Sequence, residues 1–232
     1  MRYLLRWFPV TRTLAGVASL LVLPVILTAC GRATTPFQFE IGAQGTYCYA
    51  EIVGEEYSVA GMRLNLADGR NLDVTGFDLG IVNNVTRDAR GLQVGIFNSA
   101  ENTMAGAQVA FAMNGAERNA SSGAQVAFFY NYCGGGSAMR GLQLAVVANR
   151  VDGISGTQIG AINTARGVGG AQIGAVYNDA EEVRGVQFGF FNGCAHISGV
   201  QVGVLNFNRT GFLPVFPLFN FSVKAPGPNP GY

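Results

Sequence analysis

Apolar and polar residues alternate strictly along most of this chain, in a phrase that returns about every fifteen residues. From a starting glycine, offsets one, three and five are mostly apolar, as in Leu92, Val94 and Ile96 or Val200, Val202 and Val204. Offset two is glutamine and offset four is glycine or alanine. A period of two is the pattern of a β-strand with two unlike faces, and the 3.6-residue period of an amphipathic helix is missing. An asparagine closes each phrase, and asparagine marks turns because it tolerates left-handed backbone and bonds its own chain. A second apolar residue stands two places before the next glycine, as Met104, Ile154 and Val183 do. Each unit therefore reads as a longer strand, a turn, a short strand and a second turn. The odd offsets are expected to form the core.

The starting glycines are Gly76, Gly91, Gly106, Gly123, Gly141, Gly156, Gly170, Gly185 and Gly199, with steps of 15, 15, 17, 18, 15, 14, 15 and 14. The consensus positions stand out in Gly91, Gln93, Gly95 and Asn98, in Gly185, Gln187, Gly189 and Asn192, and in Gly199, Gln201, Gly203 and Asn206. Asp78 is the one departure at the glutamine slot, and a degenerate earlier unit from Gly61 carries Arg63 there. A fixed period over so many units means one module stacked on itself. In parallel, in-register stacking, asparagines and glutamines bond like to like in ladders. The expected fold is all-β, a β-solenoid of about ten coils with repeats of ~15 residues, roughly 45 to 50 Å long at about 4.8 Å per layer. The two longer steps are expected to hold bulges near Ser121–Ser122 and Gly134–Gly136. An antiparallel β-barrel in an outer membrane is the alternative, with apolar residues outside and Gln/Gly inside. Against it stand the mid-strand phenylalanines and the like-with-like repeat.

The ends read differently. Arg2, Arg6 and Arg12 precede an apolar stretch, Leu14 to Leu27, which ends in Leu27-Thr28-Ala29-Cys30. A basic start, a short apolar run and small residues before the cut describe a secretory signal over residues 1–29. The run is short for a bilayer span of about twenty residues. The Leu-Thr-Ala-Cys string resembles the bacterial lipobox, which implies lipid attachment, palmitate included, at Cys30. Gly31 in place of an aspartate leans towards the outer membrane. Residues 30–36 read as a lipidated tether and 37–60 as an N-terminal β cap without repeats. The repeat domain covers 61–208. Residues 209–224, broken by Pro214 and Pro217, read as a C-terminal cap, and 225–232 as a flexible tail.

Without the leader the chain keeps twelve basic and fourteen acidic residues, a net charge of −2. No basic stripe remains for nucleic acid. Cys133 and Cys194 occupy a slot that other units fill with alanine, and read as small buried fillers. His196 is the lone histidine and lies in a turn region. Glu181–Glu182 reads as a solvated corner rather than a carboxylate dyad. No phosphate cradle and no calcium repeat occurs. The sequence thus points to no catalytic set, no cofactor and no metal.

The string Gly91-Leu-Gln-Val-Gly-Ile-Phe-Asn98 and its copies, the lead-in from Gly61 and the closing Leu213-Pro-Val-Phe-Pro-Leu-Phe-Asn-Phe221 resemble a family of bacterial surface-repeat proteins and lipoproteins noted in spirochaetes. The resemblance covers roughly residues 60 to 223. It implies surface exposure and supplies no activity and no catalytic residues. The expected protein is an envelope-anchored, non-enzymatic β-repeat scaffold, held to the membrane by its N-terminal lipid. Its role would be adhesion, interaction or envelope organisation, with a protein or glycan as surface ligand. The barrel or a pore component is the second reading. A carbohydrate-binding solenoid is a weaker third, because no cluster of acids or aromatics on one outward face marks a sugar groove.

Overall fold

The computed structural model describes residues 27–29, 32–42, 48–51, 57–209 and 213–222. Its regular elements are all strands: β1 (Leu27–Ala29), β2 (Arg32–Gly42), β3 (Cys48–Glu51), β4 (Ser58–Asn71), β5 (Val74–Val85), β6 (Asp88–Ala100), β7 (Thr103–Ala116), β8 (Ser121–Ala127), β9 (Tyr130–Ala145), β10 (Ala148–Asn208) and β11 (Val215–Ser222). Most of the leader, Cys30 and the tail from 225 lie outside the described residues.

The fold is a β-solenoid. Strands β4 to β9 pair in parallel with their successors, and each repeat meets the next in register: Gly76 faces Gly91, Asp78 faces Gln93 and Asn83 faces Asn98. β10 begins by pairing in parallel with β9, Gln158 against Gln143, and then runs on through the remaining repeats. An antiparallel barrel would bring unlike positions together, so this register excludes it.

The starting glycines form one column, each above the carbonyl of the last. At Gly123, φ is +117° and a Cβ would lie 1.8 Å from the carbonyl oxygen of Gly106. A side chain there is excluded by its own backbone conformation and by the coil below.

The interior differs from the sequence expectation in one decisive respect. The odd offsets, expected as core, face outward: Leu92, Val109, Leu144, Ile173, Phe188 and Val202 are all exposed. The buried row of the long strand is glutamine at offset two, a small residue at offset four, and asparagine. The apolar core comes instead from the short strands. One column holds Val74, Ala89, Met104, Met139, Ile154, Val168, Val183 and Ile197, and a second holds Val85, Ala100, Ala116, Cys133, Val151, Ala180 and Cys194. Cys133 and Cys194 are buried and form no disulfide among the described residues, as fillers should. The small residue at offset four is explained by the asparagines, since a Cβ on Gly95 would lie 2.7 Å from Asn83 Nδ2 and 2.9 Å from Asn98 Oδ1.

The ends also differ. β2 starts at Arg32, inside the expected tether, and runs parallel to β4. Its register sets Phe37 against Met62, Gln38 against Arg63 and Phe39 against Leu64, and Gln38 is buried. Residues 36–40 are thus a further copy of the long strand, with Pro36 where the glycine belongs. That proline hid the copy. β1, the end of the expected leader, pairs antiparallel with β2. The extra residues of the long steps lie at 117–120, between β7 and β8, and at Gly135 and Gly136, whose φ values are +76° and +82°. β11 closes the last coil by antiparallel pairing, Gln201 facing Asn220, and tolerates Pro217 through a bulge between Gly203 and Leu205.

Candidate functional site: two amide ladders and a charge-free apolar arc

From Gly91 onward every coil places two primary amides inside the solenoid, and the two columns run in opposite senses. Each glutamine donates from Nε2 to Oε1 of the glutamine one coil earlier: Gln108 to Gln93 (2.8 Å), Gln143 to Gln125 (2.8 Å), Gln187 to Gln172 (2.7 Å) and Gln201 to Gln187 (2.8 Å). The other Nε2 hydrogen crosses the coil to a short-strand carbonyl, Gly115 for Gln108 and Gly193 for Gln187. Each asparagine donates one coil later: Asn83 to Asn98 (2.7 Å), Asn98 to Asn114 (2.9 Å), Asn178 to Asn192 (2.8 Å) and Asn192 to Asn206 (2.8 Å). It also bonds the next coil's strand, as Asn98 bonds the Val109 carbonyl. Glutamine thus ties the two walls of one coil together, and asparagine ties one coil to the next. Aligned bonds polarise one another, and because the columns oppose, their dipoles cancel along the rod.

The ladder ends explain the odd residues. Gln93 Nε2 donates 2.9 Å to Asp78 Oδ2. Its hydrogen points towards the N-terminal end, so that is the positive end of the column, and a carboxylate is favoured there for the reason anions are favoured at helix N-termini. Arg63 neutralises it with a two-pronged contact, Nε to Oδ1 at 2.7 Å and a terminal nitrogen to Oδ2 at 2.6 Å. Arg63 also donates to Asn71 Oδ1 and the Asn84 carbonyl, and both charges are fully buried. Asp78, read from sequence as an edge variation, is the terminus of the glutamine column. At the far end Gln201 Oε1 finds no donor among the described residues. The asparagine column instead ends on β11, where Asn206 donates to the Phe216 carbonyl.

Outside, the coil divides into two arcs. From starting glycine to asparagine the outward residues are aliphatic or aromatic apart from Thr157, and from Gly76 onward the only charged residue in those stretches is the inward-facing, buried Asp78. In the first coil Asp68 stands at that edge, in register with Val82. Phe111 is 60% exposed, Val146 59% and Phe188 57%. Phe111 stacks on Phe128 at 5.6 Å and Phe129 packs edge-on against Phe128 at 4.9 Å, so aromatic columns replace aliphatic ones mid-rod. β11 continues the arc with Phe219, Phe221 and Leu218, the last 71% exposed. The second arc, between asparagine and the next glycine, carries the exposed charges.

The polar arc holds a cleft whose lining includes both acids and His196. The cleft is open, about 870 Å³ in volume, and lined by Asp179, Glu181, Glu182, Cys194 and His196. Burial, with a smaller push from Asp179, raises the Cys194 thiol to about 12, so it is no nucleophile at neutral pH. Among the described residues no three His, Cys, Asp or Glu side chains are disposed to hold a metal ion.

The structure brings the sequence-marked residues together by kind. Gln93, Gln187 and Gln201 share one buried column and Asn98, Asn192 and Asn206 another. Gly91, Gly185 and Gly199 share the crowded glycine column, and Gly95, Gly189 and Gly203 give the asparagines room. Cys30 lies outside the described residues. Sequence reasoning missed the outward apolar arc. The signal for it was present, because between Gly76 and Asn206 every charge except Asp78 falls between an asparagine and the next starting glycine. Comparison with known families, with curated proteins and with solved structures finds no match.

Proposed function

We propose that the chain is a lipid-anchored, non-enzymatic β-repeat scaffold of a bacterial cell envelope, working through its outer surfaces in adhesion, interaction or envelope organisation. The observation that carries this reading is Leu27-Thr28-Ala29-Cys30 behind a basic start and a short apolar stretch. The shape supports it: a rod closed internally by amide ladders offers long, repetitive outer faces, which suit binding better than turnover. The resemblance to spirochaete-type surface-repeat lipoproteins points the same way. Acylation at Cys30 would hold the rod at the membrane, and cleavage before it would remove β1.

The test is metabolic labelling with an alkyne fatty acid in a Gram-negative host, comparing the native chain with Cys30→Ala. The reading expects label on the native chain, none on Cys30→Ala, and protease sensitivity of the repeat domain on intact cells. A native chain that takes up no label contradicts the lipoprotein assignment.

A further inference from the structure

We infer that the charge-free arc is a bilayer-docking face: the solenoid lies along a phospholipid surface with its outward Val, Leu, Ile and Phe side chains among the acyl chains. This does not depend on acylation of Cys30.

Four observations carry it. The first is extent. A seven-residue strand spans about 20 Å and ten layers about 45 Å, so the arc covers on the order of 900 Å², beyond the ~300–600 Å² of the largest apolar patch on an ordinary monomer. The second is charge. From Gly76 on, no exposed charge interrupts the arc. The row just before the starting glycines carries Arg90, Arg140 and Arg184, all exposed, and no acid. That border sets guanidinium groups at the level of lipid phosphates when the apolar row is inserted.

The third is hydrogen bonding. Hydrocarbon admits a backbone only when its peptide groups are paired internally. In parallel stacking each layer pairs with the layers above and below, and β11 covers the last long strand. The arc can therefore enter lipid without stranding peptide groups along its length. The fourth is shape. Phe128 and Phe129 are consecutive and both exposed, as are Ile96 and Phe97, and Val146 and Val147. Neighbouring strand residues point oppositely, so two outward neighbours mark a convex corner. The arc is a ridge. A second copy of the chain would cover one flank of it, whereas fluid acyl chains follow both.

The experiment places single tryptophans in the full-length chain carrying Trp7→Phe and Cys30→Ala, which removes the native tryptophan and the acylation site together. Phe128→Trp and Phe190→Trp report from the ridge, and Ser155→Trp from the arginine border row. Each variant is first checked for an unchanged β-type circular dichroism spectrum. It is then mixed with phosphatidylcholine–phosphatidylglycerol vesicles containing lipids brominated on the acyl chain. The expected result is blue-shifted, quenched emission at positions 128 and 190, and clearly weaker quenching at 155. A Phe188→Glu, Phe190→Glu double variant should lower vesicle partition about tenfold or more. Vesicle binding with equal quenching at all three positions, or with none, would show tethering by the leader alone and overturn the inference. So would a lipid-free dimer that shields both ridge tryptophans and ignores vesicles. Acyl labelling at Cys30 is read in a different strain and a different assay, so either conclusion can fail alone.

Discussion

The two faces of the long strand invert the usual distribution of residues. Gln143 is fully buried and its neighbour Leu144 is exposed, although leucine is ordinarily the residue found inside. The inward row repeats one residue type coil after coil, because each amide must bond its own kind at a fixed spacing. The outward row changes freely among Leu, Val, Ile, Phe, Ala and Thr, because it need only be uncharged and mostly apolar. Constancy marks the hydrogen-bonded face and variety the solvent-facing or lipid-facing one. The inverted interior is stable because the amides within each ladder, short of the terminal Gln201, are bonded at both ends, and the short strands supply the aliphatic contacts that the long strand does not.

The largest way to break the inward face is at the ladder's charged terminus. Asp78→Ala leaves Arg63 buried without its partner and Gln93 without its acceptor, and should cost about 3–5 kcal/mol in urea unfolding. Gly123→Ala should cost about 2–3 kcal/mol, since its Cβ would collide with backbone rather than with a flexible side chain. Gln201→Leu acts where the ladder already ends. It removes one ladder bond and one unsatisfied oxygen, and should cost only ~1 kcal/mol.

The smallest effect concerns Cys194. Its raised folded-state value means that the folded chain keeps a proton which the unfolded chain releases above the ordinary thiol range. The contribution to stability is therefore whole below about pH 9 and is lost as pH rises towards about 12. At pH 8 a thiol-specific chromophoric disulfide should label Cys194 of the Cys30→Ala, Cys48→Ser, Cys133→Ala background only as fast as the chain opens.

The repeat by itself makes the architecture readable. A fifteen-residue period with fixed glutamine and asparagine leaves parallel, in-register stacking as the arrangement that pairs those amides, and the structure has it. Period two also showed that Leu92 and Gln93 point oppositely. It did not show which of them points inward, because alternation is symmetric to that choice, and a general preference for buried aliphatic residues filled the gap with the wrong answer. The constant Gln column and the confinement of charge to the other arc carried the missing information. The Pro36–Glu40 copy escaped because a pattern anchored on glycine cannot see a coil that starts with proline. Asp78 escaped as a ladder terminus because its role depends on Arg63, fifteen residues earlier, becoming its neighbour only once the coils stack.

One pair of adjacent substitutions bears most directly on the inversion of inside and outside. Gln143→Leu and Leu144→Gln exchange the chemistry of the two faces at one point of the rod. Equilibrium urea unfolding should show Gln143→Leu destabilised by about 2–4 kcal/mol, since Gln125 Oε1 loses its donor and Gln158 Nε2 its acceptor. Leu144→Gln should stay within about 0.5 kcal/mol of the native chain. The reverse order, with Gln143→Leu neutral or stabilising and Leu144→Gln costly, would mean that the aliphatic row is the true core.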